Sequence, residues 1–290
     1  MKILLTNDDG YHARGFLHLL NLLVEEGHEV RVVAPAFEQS GVSHCITIHS
    51  PLRVERFVYT MELLEGFGLK NGNEKLKEVP AWKVHGTPAD CGQFALLGLF
   101  GGLKPILQPW EPDVLLSGIN RGNNAGYNVI YSGTVAGAME GSIQGIPSIA
   151  VSLNHPSDYP KGTEAWPYRL AAELFLPLIP RLLDVSKKID KTTFWNVNIP
   201  NVHDREEVKG TKLCKQGGWT FTEYFDEIKR EGTDDITYTR RGAIVPDVHF
   251  NTNDYDTVAV HEGYITVTPL SHFLDRLSSQ EKITIEKEFK

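Results

Sequence analysis

Cysteine is scarce in this 290-residue sequence: only Cys45, Cys91 and Cys214 occur, and no two form a Cys-x-x-Cys pair. That spacing excludes a disulfide framework and a thiolate zinc site, and it fits a reducing, cytoplasmic setting. Long apolar runs are also missing. No stretch of about 18 apolar residues occurs, so no membrane-spanning helix and no membrane partner are expected. The first apolar stretch is broken at once by Asn7, Asp8 and Asp9, which is unlike the core of a signal peptide. Positive charge is in deficit: 29 Lys and Arg against 37 Asp and Glu give a net charge of −8. A nucleic-acid polymer is therefore not the expected partner, because its backbone demands clustered cations. A small phosphorylated substrate stays compatible if a bound metal offsets its charge. Finally, no Gly-x-Gly-x-x-Gly follows the first apolar stretch, which argues against a dinucleotide cofactor.

What is present has ordinary globular proportions, 41% hydrophobic and 23% charged, enough for one large core or two smaller ones. Ile3 to Thr6 reads as a buried parallel strand that runs straight into Asn7-Asp8-Asp9-Gly10. Phe16, Leu19, Leu20, Leu22 and Leu23 have helical spacing, with Gly27 as the C-terminal cap. Val30 to Val33 is a second strand ending at Pro35, so the start is a right-handed βαβ unit. Ile46 to Ile48 and Leu52 to Tyr59 read as extended, with a hairpin pairing, and residues 62–80 as a surface excursion. Thr87 caps a helix beginning at Pro88 and running to about Leu99. Asp113 to Ser117 is a strand that opens into a loop from Gly118 to Asn128. A helix follows at Val135 to Gln144, then a strand at Ser148 to Leu153. The helix expected over Trp166 to Leu183 should be kinked or divided by Pro177 and Pro180. Phe194 to Ile199 closes the series.

This alternation predicts an α/β fold with a Rossmann-like, doubly wound, mostly parallel sheet. Residues 1–200 form the expected catalytic domain. Residues 201–290 read as a β-rich extension without a clear helix, with strands around Thr237 to Thr239 and Tyr264 to Thr268, suited to oligomer contacts.

In a parallel sheet all strand carboxyl ends lie on one edge, so the loops Asn7–Gly10, Pro35–Ser43 and Gly118–Asn128 converge there. Asn-Asp-Asp-Gly is also ordinary turn chemistry. The other two loops, however, add the oxygen donors Ser40, Ser43, Asn120, Asn123 and Asn124 to Asp8 and Asp9. Two carboxylates with hydroxyl and amide oxygens suit Mg²⁺ or Mn²⁺ rather than zinc. Ser132-Gly133-Thr134, just before a helix, supplies N–H groups, hydroxyls and close approach for an anion. A metal beside an anion pocket is the layout for phosphoryl chemistry.

Several motifs in order resemble one family. They are Ile3 to Gly10, Ala34-Pro35 with Ser40-Gly41, Gly86-Thr87-Pro88-Ala89-Asp90-Cys91, Ser117-Gly118-Ile119-Asn120-Arg121-Gly122 with Asn124, and Tyr131-Ser132-Gly133-Thr134-Val135. Ala150 to Leu153, Asn196 to Pro200 and Gly263 to Leu270 complete the series. Together they resemble the SurE (stationary-phase survival) 5′-nucleotidases over nearly the whole chain. The resemblance implies a metal-dependent phosphomonoesterase acting on nucleoside 5′-monophosphates; whether 3′-nucleotides or short polyphosphate are also substrates is left open by the sequence. It implies one divalent cation per subunit, Mg²⁺ or Mn²⁺, held by Asp8, Asp9, Ser40 and Asn120, with Asp8 and Asp9 catalytic. It places Asn124, Ser132, Gly133 and Thr134 on the substrate phosphate. It also implies a C-terminal hairpin exchanged between subunits in a homodimer or homotetramer. His12 is the nearest histidine in sequence for a general acid. The chain departs from the family pattern at Arg14 and His261, and in longer stretches at 62–80 and 98–112 that bear on the pocket rim. A receiver-like signalling domain also pairs acids after its first strand, but it is much shorter and lacks the Asn-rich third loop. A non-catalytic nucleotide- or cation-binding protein is the other alternative.

Overall fold

The computed structural model describes residues 1–155, 166–231, 235–241 and 244–274. A nine-stranded sheet forms its centre. The opening unit is β1 (Lys2–Thr6), α1 (Arg14–Glu25) and β2 (Glu29–Pro35), with β2 parallel to β1. Gly27 ends α1 at φ +76°, where a side chain would be strained, and its N–H reaches the Val24 carbonyl at 3.1 Å. β3 (Val54–Phe57), α2 (Met61–Gly66) and β4 (Ala81–Val84) follow. The expected hairpin between 46–48 and 52–59 does not form: β3 pairs antiparallel with β4, and Thr47 bonds Asp90 through both its N–H and its hydroxyl, each at 2.7 Å. Nor is 62–80 merely a surface excursion. Leu64, Leu69 and Leu76 are buried against the core, because their spacing lets one face of an irregular segment close over α1.

α3 (Pro88–Gln93) begins as expected. Thr87 Oγ1 accepts from the Asp90 N–H at 3.1 Å while Asp90 Oδ2 accepts from the Thr87 N–H at 2.8 Å, a reciprocal capping box. A π-helical stretch, Phe94–Leu99, continues it. β5 (Val114–Arg121) is followed by α4 (Asn128–Tyr131), α5 (Gly133–Ile143) and β6 (Ser148–Leu153). The expected long helix is divided into α6 (Tyr168–Phe175) and α7 (Leu178–Ser186) at Pro177, as the ring's missing N–H requires. β7 (Thr193–Ile199) completes a parallel core ordered β4-β2-β1-β5-β6-β7. Such an order reverses direction between β1 and β5, which makes the crevice there the ligand site of a doubly wound sheet. Along β1, Ile3 and Leu5 pack with Phe16 and Leu20 of α1 on one face, while Leu4 packs with Cys91 and Leu96 on the other. Helices therefore cover both faces.

Beyond residue 200 lie β8 (Thr211–Leu213), β9 (Trp219–Phe221), β10 (Tyr224–Glu231), β11 (Asp235–Arg241), β12 (Ile244–Pro246), the short α8 (Asp256–Ala259) and β13 (Ile265–Ser271). Two of these strands belong to the main sheet. β13 runs antiparallel to β7, and β8 runs parallel to β13. An expected boundary at residue 200 thus falls between neighbouring strands of one sheet, since Val267 packs with Val197 in the core on one face and Leu270 with Phe194 of β7 in the cluster on the other. The stretch that pairs outside the sheet is narrower: β9 with β12, and the β10–β11 hairpin.

Candidate active site

The two acids stand where β1 ends. The Asn7 side-chain amide donates to the Gly10 carbonyl at 2.9 Å, folding the turn so that Asp8 and Asp9 face the crevice. Asp8 is buried, 4% exposed, and its carboxylate meets the N-terminus of α5, where Thr134 Oγ1 donates to Oδ1. Gly133 makes this approach possible. A Cβ there would lie 2.8 Å from the Asp8 Cβ. Asp9 is held on its other side by the backbone N–H of Arg121, 3.0 Å from Oδ2.

Burial drives the Asp8 carboxyl above the usual carboxylate range, against the opposing pull of the Thr134 bonds. Asp9 is pushed up to about 7, first by burial and then by the neighbouring charge of Asp8. Among the described residues neither carboxylate lies within ion-pair distance of a Lys, Arg or His. Two carboxyls raised by burial and by mutual repulsion are stabilised as anions by a nearby positive charge, so the donor set fits a hard divalent cation. No cluster of three or more His, Cys, Asp or Glu exists among the described residues. Any cation here is therefore held by two carboxylates completed by neutral oxygens.

Those neutral oxygens arrive from the next strands. The 36–43 loop is pinned beside Asp8 by the Gln39 N–H on the Asp8 carbonyl at 2.7 Å, and it is tied to α4 by the Ser43 N–H on the Tyr131 carbonyl at 3.0 Å. Ser40 is exposed on this loop, its hydroxyl turned to Glu38 at 2.8 Å. Asn120 was expected in a loop after Ser117, but β5 continues to Arg121. Gly118 does not end the strand. It sits at φ +133° with a would-be Cβ only 2.1 Å from the Val151 carbonyl oxygen, and the β5–β6 register slips between Ser117 and Asn120. Asn120 consequently comes from a strand end, with its amide donating to the Gly122 carbonyl at 2.8 Å.

Asp8, Ser40, Asn120, Asn124 and Ser132 line one cavity of about 190 Å³. Asn124 is fixed from three sides: its N–H on Asn198 at 2.7 Å, its carbonyl accepting from Asn196 at 2.6 Å, and its amide on Ser152 at 2.9 Å. Ser132 caps α5 by accepting from the Val135 N–H at 3.0 Å, which leaves its own proton to give to an anion. Thr134 is wholly buried, with its hydroxyl directed at Asp8 rather than into the cavity. Asp9 lines an adjoining chamber, and His12 lines it too. Burial lowers the His12 pKa, so its neutral form prevails near neutrality.

Sequence reasoning missed Arg121 and His155. Both line the 190 Å³ cavity. Arg121 was visible beside Asn120 but carries no motif signal of its own, and His155 lies past β6, at the carboxyl edge where loops converge.

Comparison with known proteins agrees with this geometry. The family model described as Survival protein SurE matches residues 3–223. The chain is 38% identical over 289 residues to a protein of Carboxydothermus hydrogenoformans called 5′-nucleotidase SurE, covering 97% of each chain. It is 37% identical over 284 residues to the protein of that name from Heliobacterium modesticaldum, covering 98% of this chain and 91% of that one. The crystal structure of the SurE protein of Aquifex aeolicus superposes with a TM-score of 0.72 at 31% identity, over 100% of this chain and 99% of the other. The parallel sheet, the paired acids at its switch point and these matches together assign the chain to the SurE family.

Proposed function

We propose that this protein is a metal-dependent 5′-nucleotidase that hydrolyses nucleoside 5′-monophosphates to nucleoside and phosphate. The observation that carries the reading is the placement of Asp8. It is a buried carboxylate with raised pKa, set between its acidic neighbour and the N-terminus of α5, on a cavity lined by Ser40, Asn120, Asn124 and Ser132. The relatives named 5′-nucleotidase SurE support the same activity.

Asp8, Asp9, Ser40 and Asn120 would hold one Mg²⁺ or Mn²⁺. When bound, the cation polarises a phosphoryl oxygen and lowers the pKa of a water. Asn124, Ser132 and the N–H at Gly133 receive the phosphate oxygens, with charge developing toward the positive end of α5, whereas the Thr134 N–H and hydroxyl are both spent on Asp8 and not on the phosphate. Thr134 also keeps the Asp8 carboxylate turned into the crevice. Asp8 or Asp9 orients and deprotonates the attacking water, or Asp8 accepts the phosphoryl group as a mixed anhydride that water then cleaves. Stereochemistry at phosphorus separates the routes. Inversion in the hydrolysis of a chirally labelled thiophosphate substrate supports direct attack, whereas net retention supports the covalent route. His12 lies on the chamber side of Asp9, but burial favours its neutral form, so the proton for the leaving hydroxyl comes from another group or from water.

Activity on 3′-nucleotides or short polyphosphate belongs to the same proposal, as do a cytoplasmic location and a homodimer or homotetramer built through the C-terminal hairpin. No described helix is long and apolar enough to cross a membrane, and the three cysteines are free. The deciding experiment is phosphate release from a panel of nucleotides and polyphosphates with Mn²⁺, with Mg²⁺ and with EDTA. Metal-dependent release from 5′-monophosphates is expected. No release from any member of the panel would rule the reading out.

A further inference from the structure

The cavity lined by Asp8, Ser40, Asn120, Asn124 and Ser132 measures only about 190 Å³. Pockets that enclose a whole drug-sized ligand run to roughly 300–1,000 Å³, so the rest of a nucleotide must lie elsewhere. A second chamber of about 400 Å³ opens on the far side of Asp9, and Arg121 lines both spaces.

Aromatic rings make up much of this second space. Trp166 stands in the wall between the two: its ring centroid is 5.6 Å from that of His155, which lines the first cavity. The Arg121 guanidinium lies 5.5 Å over the same indole, and Trp166 in turn stacks on Tyr168 at 5.9 Å with the rings 13° from parallel. A second pair, His12 and Phe67, sits at 4.5 Å. Trp166 and Tyr168 are almost wholly buried, whereas His12 and Phe67 are only half-buried and keep open ring surface. The Nδ1 atom of His12 is buried without a hydrogen-bond partner in the structure, so a polar edge entering the chamber would find a waiting donor or acceptor. Asp9 and Glu38 set two carboxylates on the chamber against the two guanidinium groups of Arg14 and Arg121, so the lining is balanced in charge. A flat, uncharged heteroaromatic ring with hydrogen-bonding edges suits an aromatic lining balanced in this way.

We propose that this chamber is the nucleobase subsite, where the base packs on Phe67 and the Arg121 guanidinium while the phosphate occupies the 190 Å³ cavity. The assignment rests on the nucleotide phosphatase reading above. Phe67 follows α2, so a segment with no catalytic residue becomes a determinant of substrate choice.

Kinetics on AMP and on ribose 5-phosphate, which carries the same phosphate and sugar without a base, provide the test. Base–aromatic stacking is worth about 1–3 kcal/mol, so the wild type should favour AMP by about tenfold or more in kcat/KM, chiefly through KM. Phe67→Ala should reduce kcat/KM for AMP at least about fivefold more than for ribose 5-phosphate, and Phe67→Tyr should restore the preference. Arg121→Gln, at an exposed side chain, should shift the same ratio in the same direction should Phe67→Ala fold poorly. Equal losses on both substrates, or a wild type indifferent to the base, would overturn the subsite while leaving the phosphatase intact. Phosphate release from neither substrate would overturn both.

Discussion

Two regions of the molecule contrast sharply: the crevice between β1 and β5, and the β10–β11 hairpin. In the crevice every backbone turn is tied to a neighbour. Asp8, Gln39, Arg121 and Asn124 are held by hydrogen bonds from residues more than 25 positions away, and Asp8 and Asn124 are buried. The hairpin belongs to a separate two-stranded sheet, and it exposes Phe225 at 62%, Ile228 at 61% and Tyr238 at 53%. A two-stranded ribbon is marginal on its own in water, so apolar side chains displayed this way suit the subunit contact proposed above. The crevice is over-determined by its own chain, while the hairpin is under-determined by it.

The largest expected effect comes from breaking the crevice chemically. Asp8→Asn should lower kcat by about 10³-fold or more, because it removes a charge aimed at the reacting centre. It should nevertheless leave the melting temperature unchanged or raise it. The folded pKa of Asp8 lies above its unfolded value, so the ionised form opposes folding at pH above the unfolded pKa, and the neutral amide relieves that. A variant with wild-type turnover would remove Asp8 from the mechanism. Metal comes next in size. Mn²⁺ at about 100 times its Kd should stabilise the wild type by about 2.7 kcal/mol, visible in a thermal melt and reversed by EDTA. The shift should vanish in Asp9→Asn, and an identical shift in that variant would place the ion elsewhere.

Asp256 sharpens the contrast at intermediate scale, because it joins the C-terminal stretch to the crevice. Its Oδ1 accepts from the N–H groups of Gly126 at 3.1 Å and Gly217 at 2.8 Å. Burial raises this carboxyl to about 6 in spite of those bonds. Between its ordinary value of 3.8 and 6, the native state holds the proton more tightly than the unfolded chain, so stability falls as pH rises and levels off above 6. Asp256→Asn should flatten that slope in denaturant titrations across pH 4–7, because an amide oxygen still accepts both bonds. Asp256→Ala should lose about 2 kcal/mol, since two buried N–H groups are left unpaired. The smallest effect on the fold belongs to the hairpin. Ile228→Asp should change unfolding free energy by about 0.5 kcal/mol or less, yet light scattering should show smaller assemblies. Assemblies of unchanged mass would show that this surface is not the one that completes the protein.

The same contrast explains how far the sequence could be read. Strands β1, β2, β6 and β7 are short apolar runs between turn residues, and the capping box at Thr87 is written locally, so these elements follow from neighbouring residues alone. Gly118 misled because a glycine signals a loop unless a close carbonyl, here that of Val151, makes it necessary within a strand. Leu64, Leu69 and Leu76 misled because irregular spacing hides a buried face when the partner surface is α1, far away in sequence.

By itself the sequence determined the order of the parallel strands β1, β2, β5, β6 and β7 and of α1, α3 and α5, the acid pair Asp8-Asp9, and the polar side chains that answer it at Ser40, Asn120, Asn124 and Ser132 to Thr134. Those are properties of residue type and local spacing. Only the tertiary structure decided that Thr134 serves Asp8, that β13 and β8 extend the main sheet, and that Phe67, Arg121 and Trp166 frame a second chamber. Each of these depends on which distant surfaces meet. Burial, register and the direction of a side chain are set by the packed neighbour rather than by the residue that carries them.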